Sequence, residues 1–473
     1  MGTISSAFSL MSGALDADQS ALSIVANNVA NANTPGYTEE TASFQENPPV
    51  QINGAAVGSG VAENGARSLR DRVLEERLDQ QQQLASASGT RLAALNSVQA
   101  LFTPDSGSAT AKAGDIGSDI TSLFSSFASL ESNPTNNALR QQVLSAANTL
   151  AGDTSNAAAS LSTQKAALDQ QAMGLTSQVN SLTKAIAQLN GQIQSTSPSA
   201  DAGVLEDQRQ MDMNQLSKLV GINQITTENN GLSITTTSGE LLVSESSSFP
   251  LTTGTVGGVT HFYVGTTDVT SQLASGGGEL GGYLTARDQD IPGVMNSLDQ
   301  LAYNVSTRVN ALNNSGTDLD GLSGTVPNPL FIFQQPLAVA GSASAMSVVL
   351  TDPNQIAAAG LGLGTGDNSN ATAMAGLANQ LIVNSQTPTN FYSNLVSTLG
   401  STVSSVQTEN TAQNASMTQL QTRRDALSSV NLNDEASSME TLERSYQAAS
   451  QLFTMLDRIM ASALNLGDQT AVS

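Results

Sequence analysis

The chain contains no cysteine and no tryptophan. Without thiols, disulfide staples, thiolate nucleophiles and cysteine-based metal sites are excluded, and such a chain can leave a reducing cytoplasm without needing oxidation. Aromatic residues make up 4%, too few for large globular cores, so elongated helical packing with Ala and Leu seams suits the composition better. Charge is sparse and lopsided: 17 Lys and Arg stand against 40 Asp and Glu, a net charge of −23. Binding a nucleic-acid backbone requires clustered cations, so no nucleic-acid partner is expected, and the acidity reads as solubility through self-repulsion. No apolar run approaches the roughly 20 residues that span a bilayer, and no membrane insertion is expected. The N-terminus lacks the basic region, compact apolar run and small-residue cleavage site of a conventional signal peptide, so an exported chain would use an uncleaved signal. The lone histidine, His261 in Val259-Thr260-His261-Phe262-Tyr263, reads as a surface or structural residue. Gly276-Gly277-Gly278 is not followed by the Lys-Ser/Thr of a phosphate loop and reads as a linker. Glu75-Glu76 and similar pairs read as solvated charge. The expectation is a chain that is not an enzyme, with no catalytic residue, cofactor or metal site.

What the chain does have is two ends with the same kind of stripe. Ile4, Phe8, Met11, Leu15, Leu22, Val25 and Val29 recur at spacings of three, four and seven. Met439, Leu442, Tyr446, Ala449, Phe453, Leu456, Met460 and Ala463 alternate three and four. A 3.5-residue repeat keeps one stripe facing a partner helix, so both ends are expected to pair as a coiled coil, with each other or with neighbouring copies.

Between the ends, a first helix is predicted from about 3 to 33, stopped by Thr34-Pro35-Gly36. Residues 38–68 are Gly- and Pro-punctuated and read as short strands and loops. Helices are predicted at about 69–101, 116–131, 136–150, 155–195 and 203–220. Then the period changes. Asn230-Gly231 between Ile225 and Leu232 is a strong hairpin signal, so 222–270 reads as a small β domain. Helical pattern returns at 291–314, about 369–384 and about 389–428, the last with polar Asn410, Gln413 and Arg424 on its seam. The fold class is mainly α with a small β insertion, in an elongated, nested, multidomain chain. Its expected units are a terminal coiled-coil domain (1–60 with 430–473), a long helical bundle (61–220 with 280–429) and a β domain (221–279). The chain ends are expected at one pole and the β domain at the other.

Ala26-Asn27-Asn28-Val29-Ala30-Asn31-Ala32-Asn33-Thr34-Pro35-Gly36-Tyr37-Thr38 resembles the N-terminal signature of the bacterial flagellar axial proteins. Val430-Asn431-Leu432-Asn433-Asp434-Glu435, Tyr446-Gln447-Ala448-Ala449 and Leu464-Asn465-Leu466 resemble the matching C-terminal signature. Rod, hook and hook-associated proteins share both. Three interior stretches are more selective. They are Leu205-Glu206-Asp207-Gln208-Arg209 with 216–221, Gly277 through Leu284 with its continuation to Ala302, and Thr351-Asp352-Pro353 through Ala371. These resemble the first hook-associated protein family, from which the chain departs by lacking a large outer domain. The resemblance implies a structural role at the hook–filament junction and self-assembly into a helical tube. It also implies contacts with hook protein and with the next hook-associated protein, export by the flagellar type III route, and an export chaperone at 430–473. The alternatives are a hook or distal-rod protein, or a secreted coiled-coil adhesin.

Asn has weak helix propensity because its amide competes for backbone hydrogen bonds. The Asn-rich stretch therefore reads either as a frayed helix end or as amides awaiting partners on the following loop or a neighbouring chain. Tyr37 reads as a packing anchor whose hydroxyl needs a partner. Asp18 falls on the apolar stripe, where burial without a partner is costly. Residues 1–33 and about 435–473 are expected to fold only on assembly. The candidate assembly residues are Phe8, Met11, Leu15, Leu22, Asn27, Asn28, Asn31, Tyr37, Leu442, Tyr446, Phe453, Leu456 and Met460. Packing between the two termini within one chain would employ the same apolar set.

Overall fold

A single 60-residue helix, Asn137–Thr196, forms the spine of the molecule. Its first half contributes Val143, Leu150 and Leu161 to one apolar core, and its second half contributes Leu175, Val179 and Ile186 to another. The computed structural model describes residues 2–52, 55–102, 115–196, 203–227, 230–324 and 328–469. In chain order the elements begin with α1 (Gly2–Asn31), β1 (Glu40–Glu46), β2 (Val50–Ile52), β3 (Ala55–Val57) and β4 (Val61–Ser68). The helices α2 (Arg72–Phe102), α3 (Ile116–Ser132), α4 (the spine) and α5 (Gly203–Leu219) follow. Next come β5 (Ile222–Thr226), β6 (Leu232–Thr236), β7 (Leu241–Ser244), β8 (Ser247–Ser248), β9 (Leu251–Val256), β10 (Val259–Val264) and β11 (Thr267–Asp268). The chain finishes with α6 (Thr270–Gly276), α7 (Gly278–Thr285), a π-helical turn Ala286–Asp290, α8 (Ile291–Ser315), α9 (Ser369–Gly376), α10 (Pro388–Ser428) and α11 (Leu432–Gln469). No described helix is long and apolar enough to cross a membrane.

The core of the bundle unites α2, α3, the first half of α4, α8 and the start of α10 around Leu95, Phe127, Leu161, Leu298 and Leu399. The β module is two antiparallel sheets, ordered β5-β6-β7-β8 and β11-β10-β9, laid against the second half of α4. Asn230 takes a positive φ of 58° at the start of β6, in keeping with the Asn-Gly turn signal.

Several expectations are corrected. The helices expected at 136–150 and 155–195 are one, because Gly152 meets no obstacle and Thr154, Ala157 and Ala158 continue the buried stripe. The helix expected at 291 is the continuation of α7 through the π turn. That wider turn carries Arg287, almost wholly buried, onto the carboxylates of Asp169 and Asp288 and the Thr260 carbonyl. The helix expected at 369–384 stops at Gly376, where the chain tightens into a 3-10 turn, Leu377–Asn379, and becomes extended at Gln380; Asn384 and Ser385 then adopt positive φ in a tight turn. Gly276-Gly277-Gly278 is not a loose linker. Gly277 and Gly278 have φ of 101° and 71°, and a Cβ on Gly278 would come within 2.5 Å of the Val220 amide.

Two boundaries also move. The division expected at residue 60–61 cuts a hairpin, because β4 pairs antiparallel with β1 and belongs with the terminal segment. The β module is not at the pole opposite the chain ends. Gln83 of α2 donates to the Ile222 carbonyl, Asn190 of α4 to Leu232, and Arg209 of α5 to Asn230, which places the sheets beside the junction with the terminal segment. The opposite pole is formed by the end of α8, the start of α4 and the loops 316–324 and 351–368, tied by Arg140 to the carbonyls of Pro134 and Asn354.

Candidate assembly interface

The two chain ends pair, α1 against α11, with the β1–β4 hairpin laid along α1. Phe8 and Phe453 are in close contact, with ring centroids 4.3 Å apart at a 43° tilt. Met11, Leu15 and Leu22 on α1, and Leu442, Leu456 and Met460 on α11, are half-buried; Tyr446 is exposed. The side chains of Ile4, Ala463 and 464–466 lie outside the described set.

The buried line on α1 differs from the expected stripe. It runs through Ala17, Ala21, Val25 and Asn28, while Val29 is 40% exposed. Small alanines let the helices approach closely, and periodicity counted on large side chains passes over them. Asp18 is half-exposed rather than buried on the seam, so it carries no unpaired-burial cost.

Asn28 is the centre of the clasp and is 1% exposed. Its Nδ2 donates to the Glu40 carbonyl and to Glu435 Oε1, each at 2.8 Å. Its Oδ1 accepts from the Tyr37 hydroxyl at 2.7 Å and the Glu40 amide at 3.1 Å. All four hydrogen-bonding positions of the amide are filled. Asn27 and Asn31 stay local: Asn31 Nδ2 donates to Asn27 Oδ1 at 2.7 Å, and Asn31 Oδ1 accepts from Thr34 Oγ1 at 3.2 Å. Burial, with Glu40, Glu435 and Glu39 close by, pushes the Tyr37 hydroxyl pKa up to about 12, keeping it a donor. The Glu39 carboxyl is likewise pushed above its ordinary range, by burial and then by Glu435. Glu435, buried beneath the clasp, was not among the predicted site residues. Its place in the Val430–Glu435 signature was the available signal.

Beside the seam lies a second apolar stripe. Leu452, Met455 and Ile459, at 49%, 57% and 47% exposure, face outward on α11. With Leu10, Val50 and Val57 they line an open groove of about 630 Å³. Exposed apolar surface of this kind marks an interaction site.

The profile of the family described as flagellar hook-associated protein FlgK helical domain matches residues 106–331, and that of the flagella basal body rod protein family matches 11–38. The flagellar hook-associated protein 1 of Bacillus subtilis is 25% identical over 506 aligned positions covering 96% of both chains. The chain is thus similar to flagellar hook-associated protein 1. The Salmonella typhimurium member is 27% identical over 350 positions, 72% of this chain and 61% of that protein; the match thus spans about three fifths of that relative's length. The flagellar hook junction protein FlgK from Burkholderia pseudomallei shares the fold, with a TM-score of 0.65 and 17% identity over 75% of this chain and all of that one. The rod profile covers the Asn-rich stretch 26–38, and the helical-domain profile covers the interior.

Proposed function

We propose that this chain is a structural subunit joining the hook of the bacterial flagellum to its filament. The observation that carries this reading is the FlgK helical-domain match across the interior, 106–331, while the rod-protein match is to 11–38. The relatives' printed names, hook-associated protein 1 and hook junction protein, supply the role.

The work is mechanical, not catalytic. Copies associate through contacts that do not close on themselves and so build a helical array. The α1–α11 pair forms its inner wall, with Phe8, Met11, Leu15, Leu22, Leu442, Tyr446, Phe453, Leu456 and Met460 supplying apolar contact at roughly 25 cal/mol per Å² buried. The Asn28–Tyr37 clasp presents that wall in one shape, with Asn27 and Asn31 capping the turn beside it. The array offers one surface to hook protein and another to the next hook-associated protein. The chain reaches its place outside the cell unfolded, through the flagellar export pathway, with a chaperone on 430–473. The groove beside the seam fits a neighbouring copy better than it fits the stalk of an adhesin, because it continues the apolar surface of the terminal pair.

A deletion strain tests the reading. Hooks without filaments, and filament protein released to the medium, are expected. A normal filament would reject the junction role, and loss of the hook itself would favour a hook or rod protein.

A further inference from the structure

The backbone passes between the terminal segment and the bundle twice, at 69–71 and at 428–431. The two crossings lie side by side: Ser428 Oγ donates to the Leu69 carbonyl at 3.1 Å, the Leu69 amide to the Glu39 carbonyl at 2.9 Å, and the Glu39 amide to the Ser428 carbonyl at 2.9 Å. Two crossings at one place make a pivot. A rigid pair of helices hung on a pivot can swing unless a contact away from the pivot holds it.

That contact is made by α5. Asp207 Oδ2 accepts from the Thr38 amide at 3.2 Å, and its Oδ1 takes the Arg70 guanidinium. Glu206 lies 3.8 Å from Arg70 and 3.4 Å from Arg72. Glu206 and Asp207 are nearly buried, with side chains 2% and 9% exposed, as is Arg70 at 6%. One helical turn on, Met211 packs on the turn itself: a Cβ at Gly36, where φ is 81°, would come within 2.8 Å of Met211 Cγ. At the start of α5, a Cβ at Gly203 would collide with Glu40. On its far side Arg209 binds Asn190 Oδ1 at 2.8 Å and the Asn230 carbonyl at 2.7 Å, fastening α5 to the spine and the β module. The Leu205–Arg209 motif thus grips the Thr34–Thr38 turn from one side and the rigid body of the molecule from the other.

We propose that Asp207 and Arg70 are positioning residues that lock the angle between the terminal helix pair and the bundle. The lock is ionic and buried rather than apolar, so it has one geometry: without Arg70 the buried Asp207 loses the cation paired with it, and without the Asp207 charge Arg70 loses the nearer of its two carboxylates. Its purpose, keeping the inner wall and outer body in register along a tube, rests on the junction reading; its geometry does not.

The absence of cysteine makes the test clean. Spin labels at Gln45→Cys in β1 and Ser125→Cys in α3 report the distance across the pivot in the full soluble chain. The parent is expected to give one narrow distribution, and Asp207→Asn to lose it while α-helix content is unchanged. Gly36→Ala, which strains the same contact without altering charge, is expected to broaden it too, and Asp207→Glu to restore it in part. A distribution equally narrow in all variants, or equally broad in the parent, overturns the proposal. A normal filament in the deletion strain would reject the junction role and leave this result standing.

Discussion

Asn28 and Glu435, 407 positions apart in sequence, meet through a 2.8 Å hydrogen bond inside the terminal helix pair. The bond joins the two segments that resemble axial-protein signatures, and Asn28 fills its remaining positions with Tyr37 and Glu40. Asn28→Ala removes the hydrogen bonds to the Tyr37 hydroxyl, the Glu40 amide, the Glu40 carbonyl and Glu435 Oε1. Buried groups left unpaired cost about 1–3 kcal/mol each, so the pair is expected to loosen by about 3 kcal/mol. Asn28→Asp should be worse, since it sets a second carboxylate against Glu435. Hydrogen exchange of α11 reads both: protection from 435 to 456 should fall while that of α4 is kept.

Asp79 on α2 is fully buried and accepts from Gln210 Nε2 at 3.1 Å, Ser217 Oγ at 3.3 Å and Gln224, all neutral donors. Burial pushes its pKa up from 3.8 to about 7. The folded state therefore holds a proton between about pH 4 and 7 that the unfolded chain has released, and this contribution to stability falls as pH rises through that window. The difference is on the order of 4 kcal/mol at 1.36 kcal/mol per pH unit. Asp79→Asn should remove this part of the pH dependence, stabilising the chain at pH 8 far more than at pH 5. Equal effects at both pH values in urea melts would refute it.

Gly278 and Gly293 lie on one continuous helical stretch but should respond oppositely to alanine. Gly278→Ala forces a Cβ against the Val220 amide at a positive φ and should cost more than about 1 kcal/mol. Gly293 has open space around it, so Gly293→Ala should stabilise by up to about 1 kcal/mol. Thermal melts of the two variants check the contrast.

Met455 and Leu452 line the open groove and are largely exposed in the single chain. Met455→Asp is expected to leave the melting temperature within about 1 °C, since surface substitutions stay within about 0.5 kcal/mol, while abolishing filament attachment. Filaments of normal number on cells carrying it would show that the groove is not an assembly surface.

The α11 seam was legible because Phe453, Leu456 and Met460 are large, apolar and regularly spaced, and the hairpin at Asn230 because positive φ needs such a residue. The α1 seam was only half legible. Its closest contacts are Ala17 and Ala21, whose small size is what allows the helices to approach but gives little hydrophobic signal. Asn28 could be picked out as an amide in need of partners, yet nothing local distinguishes it from Asn27 and Asn31, which bond to each other. The role of Leu205–Arg209 was visible only as a resemblance, because an acidic pair on a helix reads as solvated charge until an arginine from 137 positions away arrives.

Local spacing, turn chemistry and composition by themselves determined the mainly helical class, the apolar C-terminal stripe, the β insertion and the family resemblance, because these depend on residues within a few turns of one another. Tertiary structure alone decided which amide is the clasp, how far the spine runs unbroken, and that the β module lies beside the pivot. Those follow from side chains hundreds of positions apart competing for the same buried donors and acceptors. Only the folded arrangement of Asn28, Glu435, Arg70 and Asp207 resolves that competition.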